Sequence, residues 1–174
     1  KNKSPKIIFH SAAYKHVPLF ESNKFEGVRN NVLGTQVMAE SAIRYDVNKF
    51  VLISTDKAVR PTNVMGASKR IAEMLLQALS AKQSKTVFAI VRFGNVLDSS
   101  GSVVPLFRQQ IKTGGPVTVT DVEVTRYFMT ISEACHLVLQ TISLRSDKSI
   151  FILNMGNPIN IFNLAKNLAK IKSY

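Results

Sequence analysis

The sequence predicts an α/β protein built on a doubly wound parallel sheet. Three observations carry that expectation. Apolar runs of strand length recur at residues 6–9, 49–53, 86–91 and 149–153. Longer stretches between them place apolar residues at helical spacing, which suits strand–helix–strand units. The runs at 49–53 and 86–91 are continuous rather than alternating, as in strands covered on both faces.

Residues 6–9 (KIIF) open the sheet, and the loop HSAAYKHVP follows. Phe25, Val28, Val32, Val37, Met38, Ala42 and Ile43 then mark a helix over 24–45. After the strand KFVLI (49–53), Asn63 or Thr62 caps a helix running to about Lys82. Ile71, Met74, Leu75 and Ala78 share one of its faces. TVFAIV (86–91) is a further buried strand. RFGNVLDSSGS reads as a loop, and VVPLFRQQIKT as a helix with Pro105 in its first turn. Gly114 and Gly115 break that helix, and PVTVT (116–120) alternates like an edge strand. A helix over 132–143, a strand over 149–153 and a closing helix over 160–172 complete the order.

Composition narrows the function without choosing it. A chain of 174 residues is long enough for a real core. Its one cysteine, Cys135, excludes an intramolecular disulfide, and its apolar-periodic setting predicts a buried, inert thiol. His10, His16 and His136 lack metal-ligand spacing, so no metal is expected. No run reaches the ~18 apolar residues of a membrane span, and no signal peptide is present; a cytoplasmic setting is expected. The 23 basic and 11 acidic residues give a net charge of +12. Nucleic acid, an anionic membrane or a polyphosphate ligand would each suit that charge. The basic residues are scattered, densest in KNKSPK and AKNLAKIKSY, and no nucleic-acid motif accompanies them.

In a parallel sheet, ligands sit beyond the carboxyl ends of the strands. The loops after residues 9, 53 and 91 would therefore converge. Asp56 and Lys57 follow the central strand, and an acid beside an amine suits the movement of two protons. The same pair also reads as a solvated turn with a weak ion pair. Met65 and Lys69 stand one helical turn apart on one face, which equally suits a surface stem over a core filler.

In combination, strand, S-T-D-K and M-x-x-x-K resemble the extended short-chain dehydrogenase/reductase family. More narrowly, they are similar to its nucleotide-sugar 4,6-dehydratases of polysaccharide and glycan biosynthesis. HSAAYKHVPLFE, NNVLGT, KFVLISTDKAVRPTNVMGASKRIAE, VRFGNVLDSSGSVVPLF, GGPVTVTDVEVTRYFMTISEA and FILNMGNPINIFNLA carry the likeness. It implies a Rossmann-like fold, NAD as cofactor and UDP-N-acetylglucosamine as substrate. An epimerase of the same superfamily and a non-catalytic basic binding module are the alternatives.

The resemblance implies roles by position. Met65 stands where most relatives carry the tyrosine base, as it does in a membrane-anchored subgroup. Methionine cannot carry a proton, so the O4 base stays open, with Thr55 orienting the C4 hydroxyl or a water. Lys69 holds the nicotinamide ribose. The implied reaction removes hydride from C4 and a proton from C5, expels the C6 hydroxyl as water, and returns hydride at C6. Lys57 as a neutral amine takes the C5 proton, and Asp56 as an acid protonates the leaving hydroxyl. Burial would favour both uncharged forms. Ala12, Ala13, Tyr14, Asn31, Ser54, Phe93 and Val96 are implied to contact the cofactor, with Asn31 and Thr35 on a helix backing the site. For Asn31 a packing role is open. Lys15, Asn95, Val103, Pro105, Leu106, Phe107 and Arg126 are implied to contact substrate, although Arg126 alone would read as a surface arginine.

The family's glycine-rich turn is not found among the eight glycines. The resemblance therefore implies one partial domain, with the N-terminal glycine-rich βαβ unit absent. Residues 1–100 would hold the rest of the NAD-binding sheet and the catalytic loop, and 101–174 mainly substrate-binding elements. An exposed first strand is then expected. Relatives pair the helices at 24–45 and 63–82 with their copies, so a homo-oligomer is implied. A membrane would be reached only through segments outside these residues. Arg60 and Asp98 depart from the commoner asparagine and glycine of RPTN and LDSSG.

Overall fold

The computed structural model describes residues 5–83, 85–144 and 150–171. Their elements in chain order begin β1 (Ile7–His10), α1 (Val17–Ser22), α2 (Lys24–Val28), a π-type turn (Arg29–Leu33), α3 (Gly34–Arg44) and β2 (Lys49–Thr55). A 3-10 turn (Asp56–Ala58), α4 (Val64–Lys82), β3 (Val87–Phe93), β4 (Asn95–Val96) and α5 (Val103–Lys112) follow. The chain closes with β5 (Thr125–Arg126), β6 (Phe128–Met129), α6 (Ile131–Gln140), β7 (Ile150–Ile152), β8 (Ile159–Asn160) and α7 (Ile161–Ile171). The chain divides into two compact units, residues 1–93 with 138–153, and residues 94–137 with 154–174.

The first unit is a four-stranded parallel sheet in the order β1-β2-β3-β7. Ile7 pairs with Lys49 and Lys49 with Val87, so His10, Thr55 and Phe93 all end strands at the same edge. Phe50, Val51 and Leu52 are fully buried, which is why β2 reads as one unbroken apolar run. Phe50 and Leu52 face a core of Ala39, Ala42, Val47, Ala72, Leu76, Phe88 and Ile90. Each large apolar side chain there contributes about 1.5–3 kcal/mol by leaving water. At the other end of β2, Lys49 Nζ donates to the carbonyls of Thr141, Ile142 and Leu144, satisfying groups at the end of α6. Among the described residues β1 pairs only with β2, and Ile7 and Phe9 are exposed, as expected for the first strand.

The long helix has the expected cap: Asn63 Oδ1 accepts from Gly66 N at 2.8 Å. Its packed face differs from the one that Ile71, Met74, Leu75 and Ala78 suggest. Ile71 and Met74 are exposed, whereas Met65, Ser68, Lys69, Ala72, Glu73 and Leu76 are buried. The helix thus carries two faces, and the polar groups of the inward one are satisfied by partners described below. The 24–45 helix is also not continuous, because one π-type turn interrupts it.

The second unit has its own core of Phe107, Phe128, Ile161 and Ala165. The expected edge strand at 116–120 is not one. Val117 and Val119 do pack on this core, so the alternation is real. Thr118, however, bonds the Gln110 side chain through N and Oγ1 instead of a neighbouring strand. Cys135 is exposed, contrary to expectation, because α6 buries Ala134 and Val138 instead. Thr130 and Glu133 form a reciprocal cap at the start of α6. Among the described residues no helix is long and apolar enough to cross a membrane, and no cluster of acidic, histidine and cysteine residues could hold a metal.

Candidate active site

The carboxyl end of β2 brings the S-T-D-K residues together. Thr55 is extended and its Oγ1 accepts from Lys57 N at 3.3 Å, which starts the 3-10 turn. The same hydroxyl donates to Asp56 Oδ1 at 3.0 Å. Lys57 Nζ donates to that oxygen at 3.1 Å. The two side chains are 37% (Asp56) and 29% (Lys57) exposed, so the burial expected for this pair is not present in this chain. Gly66, at the start of α4, touches the Lys57 carbonyl so closely that a Cβ would collide with it.

Met65 and Lys69 both face inward on α4, at 4% and 7% exposure. The Lys69 ammonium donates to the Ile53 carbonyl at 2.6 Å. Burial lowers its pKa to about 8, and the Glu73 charge acts in the opposite sense. Across from it, His10 Nε2 lies 3.1 Å from Thr35 Oγ1. The Thr35 proton is already given to Asn31 O at 2.7 Å, so His10 is the donor through Nε2. Burial and, secondarily, the Lys69 charge lower the His10 pKa, which favours the neutral ring.

Asn31 occupies the π-type turn and is 1% exposed. Its Oδ1 accepts from Tyr14 N at 2.8 Å, and its Nδ2 donates to Tyr14 O at 3.0 Å and Ser68 Oγ at 3.1 Å. Ser68 in turn donates to Met65 O at 2.7 Å. Asn31 thus clasps the Tyr14 backbone to α4 from within the irregular turn. Ala12, Tyr14 and Lys15 are exposed, while Ala13 is half-buried. Ala13, Tyr14 and Lys15 line a cavity with His16, Leu19 and Phe20.

Sequence reasoning missed Glu73. It is fully buried and accepts from Ser54 Oγ at 2.6 Å, Arg92 Nε at 2.8 Å and Arg70 Nη1 at 3.1 Å, with a second bond from Arg92 Nη2. Burial alone would raise its pKa, but the bonds from Arg92, Ser54 and Arg70 outweigh that and hold it below the ordinary range. The bond to Glu73 raises the Arg92 pKa in return. Glu73 follows Lys69 by one turn and Arg92 follows a wholly apolar run, but nothing local in the sequence joins them.

Phe93, the last residue of β3, is half-buried in the first unit. The remaining predicted residues belong to the second unit. Asn95 and Val96 form β4, which pairs with Phe128 and Met129. Val103 and Phe107 belong to that unit's core on α5, whereas Leu106 is exposed and Pro105 half-buried. Arg126 is exposed on β5 and donates to the Thr125 carbonyl at 2.8 Å.

Comparisons with known proteins show the family and the fold. Residues 1–174 match the family described as polysaccharide biosynthesis protein. The chain is 60% identical over 167 residues to the capsular polysaccharide biosynthesis protein CapD of Staphylococcus aureus, covering 96% of this chain and 28% of the relative. It is 42% identical over 147 residues to a UDP-glucose 4-epimerase of Rickettsia canadensis (strain McKiel), covering 83% of this chain and 43% of the relative. The structure of Pen from Bacillus thuringiensis superposes with a TM-score of 0.91 at 39% identity, covering 97% of this chain and 54% of that one. DesIV, a dTDP-glucose 4,6-dehydratase from Streptomyces venezuelae with NAD and TYD bound, shares the fold with a TM-score of 0.89 at 20% identity, covering 97% of this chain and 57% of that one. The chain thus spans less than half the length of both curated relatives.

Proposed function

Because the chain belongs to the polysaccharide biosynthesis protein family and has a Rossmann-like α/β fold, we propose that it carries the catalytic residues of an NAD-dependent nucleotide-sugar 4,6-dehydratase. UDP-N-acetylglucosamine is the proposed substrate and the 4-keto-6-deoxy sugar the product. The observation that carries this reading is the contact pair of Asp56 and Lys57 at the carboxyl end of β2, 3.1 Å apart.

The chemistry follows from proton counting. Lys57 as an amine takes the C5 proton, while Asp56 as an acid gives one to the departing C6 hydroxyl. The pair ends as ammonium and carboxylate, the ion pair of this structure. One proton passing from Nζ to Oδ1 restores the starting forms. Exclusion of water by bound substrate favours that transfer, because desolvation penalises both charges. Thr55 bonds the Asp56 carboxylate and the Lys57 backbone N–H, tying the acid to the turn that carries the amine. Met65 offers no acidic proton, so a C4 base must come from Thr55, a water or another neighbour.

The residues present fit the nicotinamide-ribose end of NAD. Lys69 is buried, with its ammonium directed to the Ile53 main-chain carbonyl, and Asn31 fixes the Tyr14 backbone next to the small residues Ala12 and Ala13. NAD would supply a hydride acceptor at C4 and the same hydride at C6. Lys69 would hold its ribose, with Ser54, Phe93 and Val96 nearby in sequence to the same strand ends. Lys15, Asn95, Val103, Pro105, Leu106, Phe107 and Arg126 are the proposed substrate contacts. Arg126 suits a diphosphate through its fixed fork of donors. The exposed Phe25, Val37, Met38, Ile71 and Met74 support a homo-oligomer through the helices at 24–45 and 63–82.

The Rickettsia relative favours a second reading, C4 epimerisation without loss of water. One experiment separates the two. The full-length protein with NAD and UDP-N-acetylglucosamine in deuterium oxide should exchange C5 hydrogen and form the 4-keto-6-deoxy sugar by NMR. Lys57→Ala should abolish C5 exchange. C4 inversion with the C6 hydroxyl retained would support the epimerase, and C5 exchange surviving in Lys57→Ala would remove the role of Lys57.

A further inference from the structure

We propose that Glu73 is a positioning residue for Lys69, holding the place and charge of its ammonium through a knot that ties α4 to the ends of β2 and β3. This rests on the ribose-holding role of Lys69 proposed above. The geometry is specific. Ser54 precedes the Thr55–Lys57 segment on β2, Arg92 precedes Phe93 on β3, and both bond the same buried carboxylate. Arg70 covers the second oxygen from α4 itself. Glu73 lies one turn after Lys69 on the buried face of that helix.

A buried carboxylate with two guanidiniums and a hydroxyl cannot drift without leaving a charge unpaired. The helix bearing Lys69 is therefore fixed against the two strands whose ends bear Thr55 and Phe93. Lys69 makes its own bond to Ile53 O, on the strand that also supplies Ser54. Other charges bear on it: His10 from β1 couples to Lys69, while Arg92 and Arg70 are joined to the Glu73 carboxylate. Glu73 is the anion in this group, and its charge acts against the burial of Lys69.

The test reads Lys69 directly and needs no turnover. In the full-length protein, the pH dependence of Lys69 reductive methylation, followed by mass spectrometry, gives its titration. Glu73→Gln should lower that midpoint by about one pH unit, and Glu73→Asp should restore most of the shift. Because Glu73→Gln strands two guanidiniums, Glu73→Gln/Arg92→Gln carries the same measurement without the Arg92 charge, and its midpoint should also fall. An unchanged midpoint in these variants would overturn the proposal. So would an equal fall in Glu73→Asp, which would show packing loss instead of charge. Since no substrate is used, this result stands apart from whether the protein dehydrates a sugar.

Discussion

Two charged clusters in the first unit treat water in opposite ways. Asp56 and Lys57 hold one ion pair with both side chains about a third exposed. Glu73, fully buried, is closed in by Arg92, Arg70 and Ser54. Ser54 belongs to the buried cluster and Asp56 to the open one, so the change occurs within two residues of chain. A pair proposed to trade protons with a substrate has to be reachable. A carboxylate that ties elements together is strongest where water cannot compete.

Four variants would break or sharpen this contrast. Glu73→Ala should have the largest effect, a loss of about 3–5 kcal/mol in denaturant unfolding, because two guanidiniums lose their partner. A loss under 1 kcal/mol would erase the distinction between the clusters. Lys69→Met should act with opposite sign. The folded-state pKa of Lys69, about 8, lies below its ordinary 10.5. Its burial cost is thus complete below pH 8 and fades as pH rises through 10.5. The variant should gain up to about 3 kcal/mol at pH 7 and lose that advantage near pH 10.5. Arg60, exposed three residues after Lys57, has φ of 49°, a left-handed conformation that asparagine adopts more readily. Arg60→Asn should add about 1 kcal/mol by thermal unfolding. Asp56→Asn should change stability least, by less than about 1 kcal/mol. The proposed dehydration should nevertheless slow by about 100-fold or more, and a variant that kept its rate would detach the open pair from that chemistry.

The sequence made some of this legible and hid the rest for physical reasons. The run KFVLI announced a strand buried on both faces, and Asn63 announced the start of α4, because both signals are local. The S-T-D-K turn was readable for the same reason. The Glu73 knot was not, since its partners at 54 and 92 become neighbours only when β2 pairs with β3. The face of α4 was misread because Lys69 and Glu73 point inward and look polar, while Ile71 and Met74 point outward and look apolar. The π-type turn at Asn31 left no periodic mark, as it displaces a single turn of an otherwise regular helix. PVTVT had the alternation of a strand, yet Gln110 supplied the hydrogen bonds that a neighbouring strand would have given.

Gly66 fits against the carbonyl of Lys57 with no room for a methyl group. The start of α4 consequently acts as a stop for the Lys57 peptide: residue 66 sets how far that carbonyl can retreat. Alanine there would push that peptide outward, turning a change of one carbon in the scaffold into a displaced Lys57 side chain, with the core untouched.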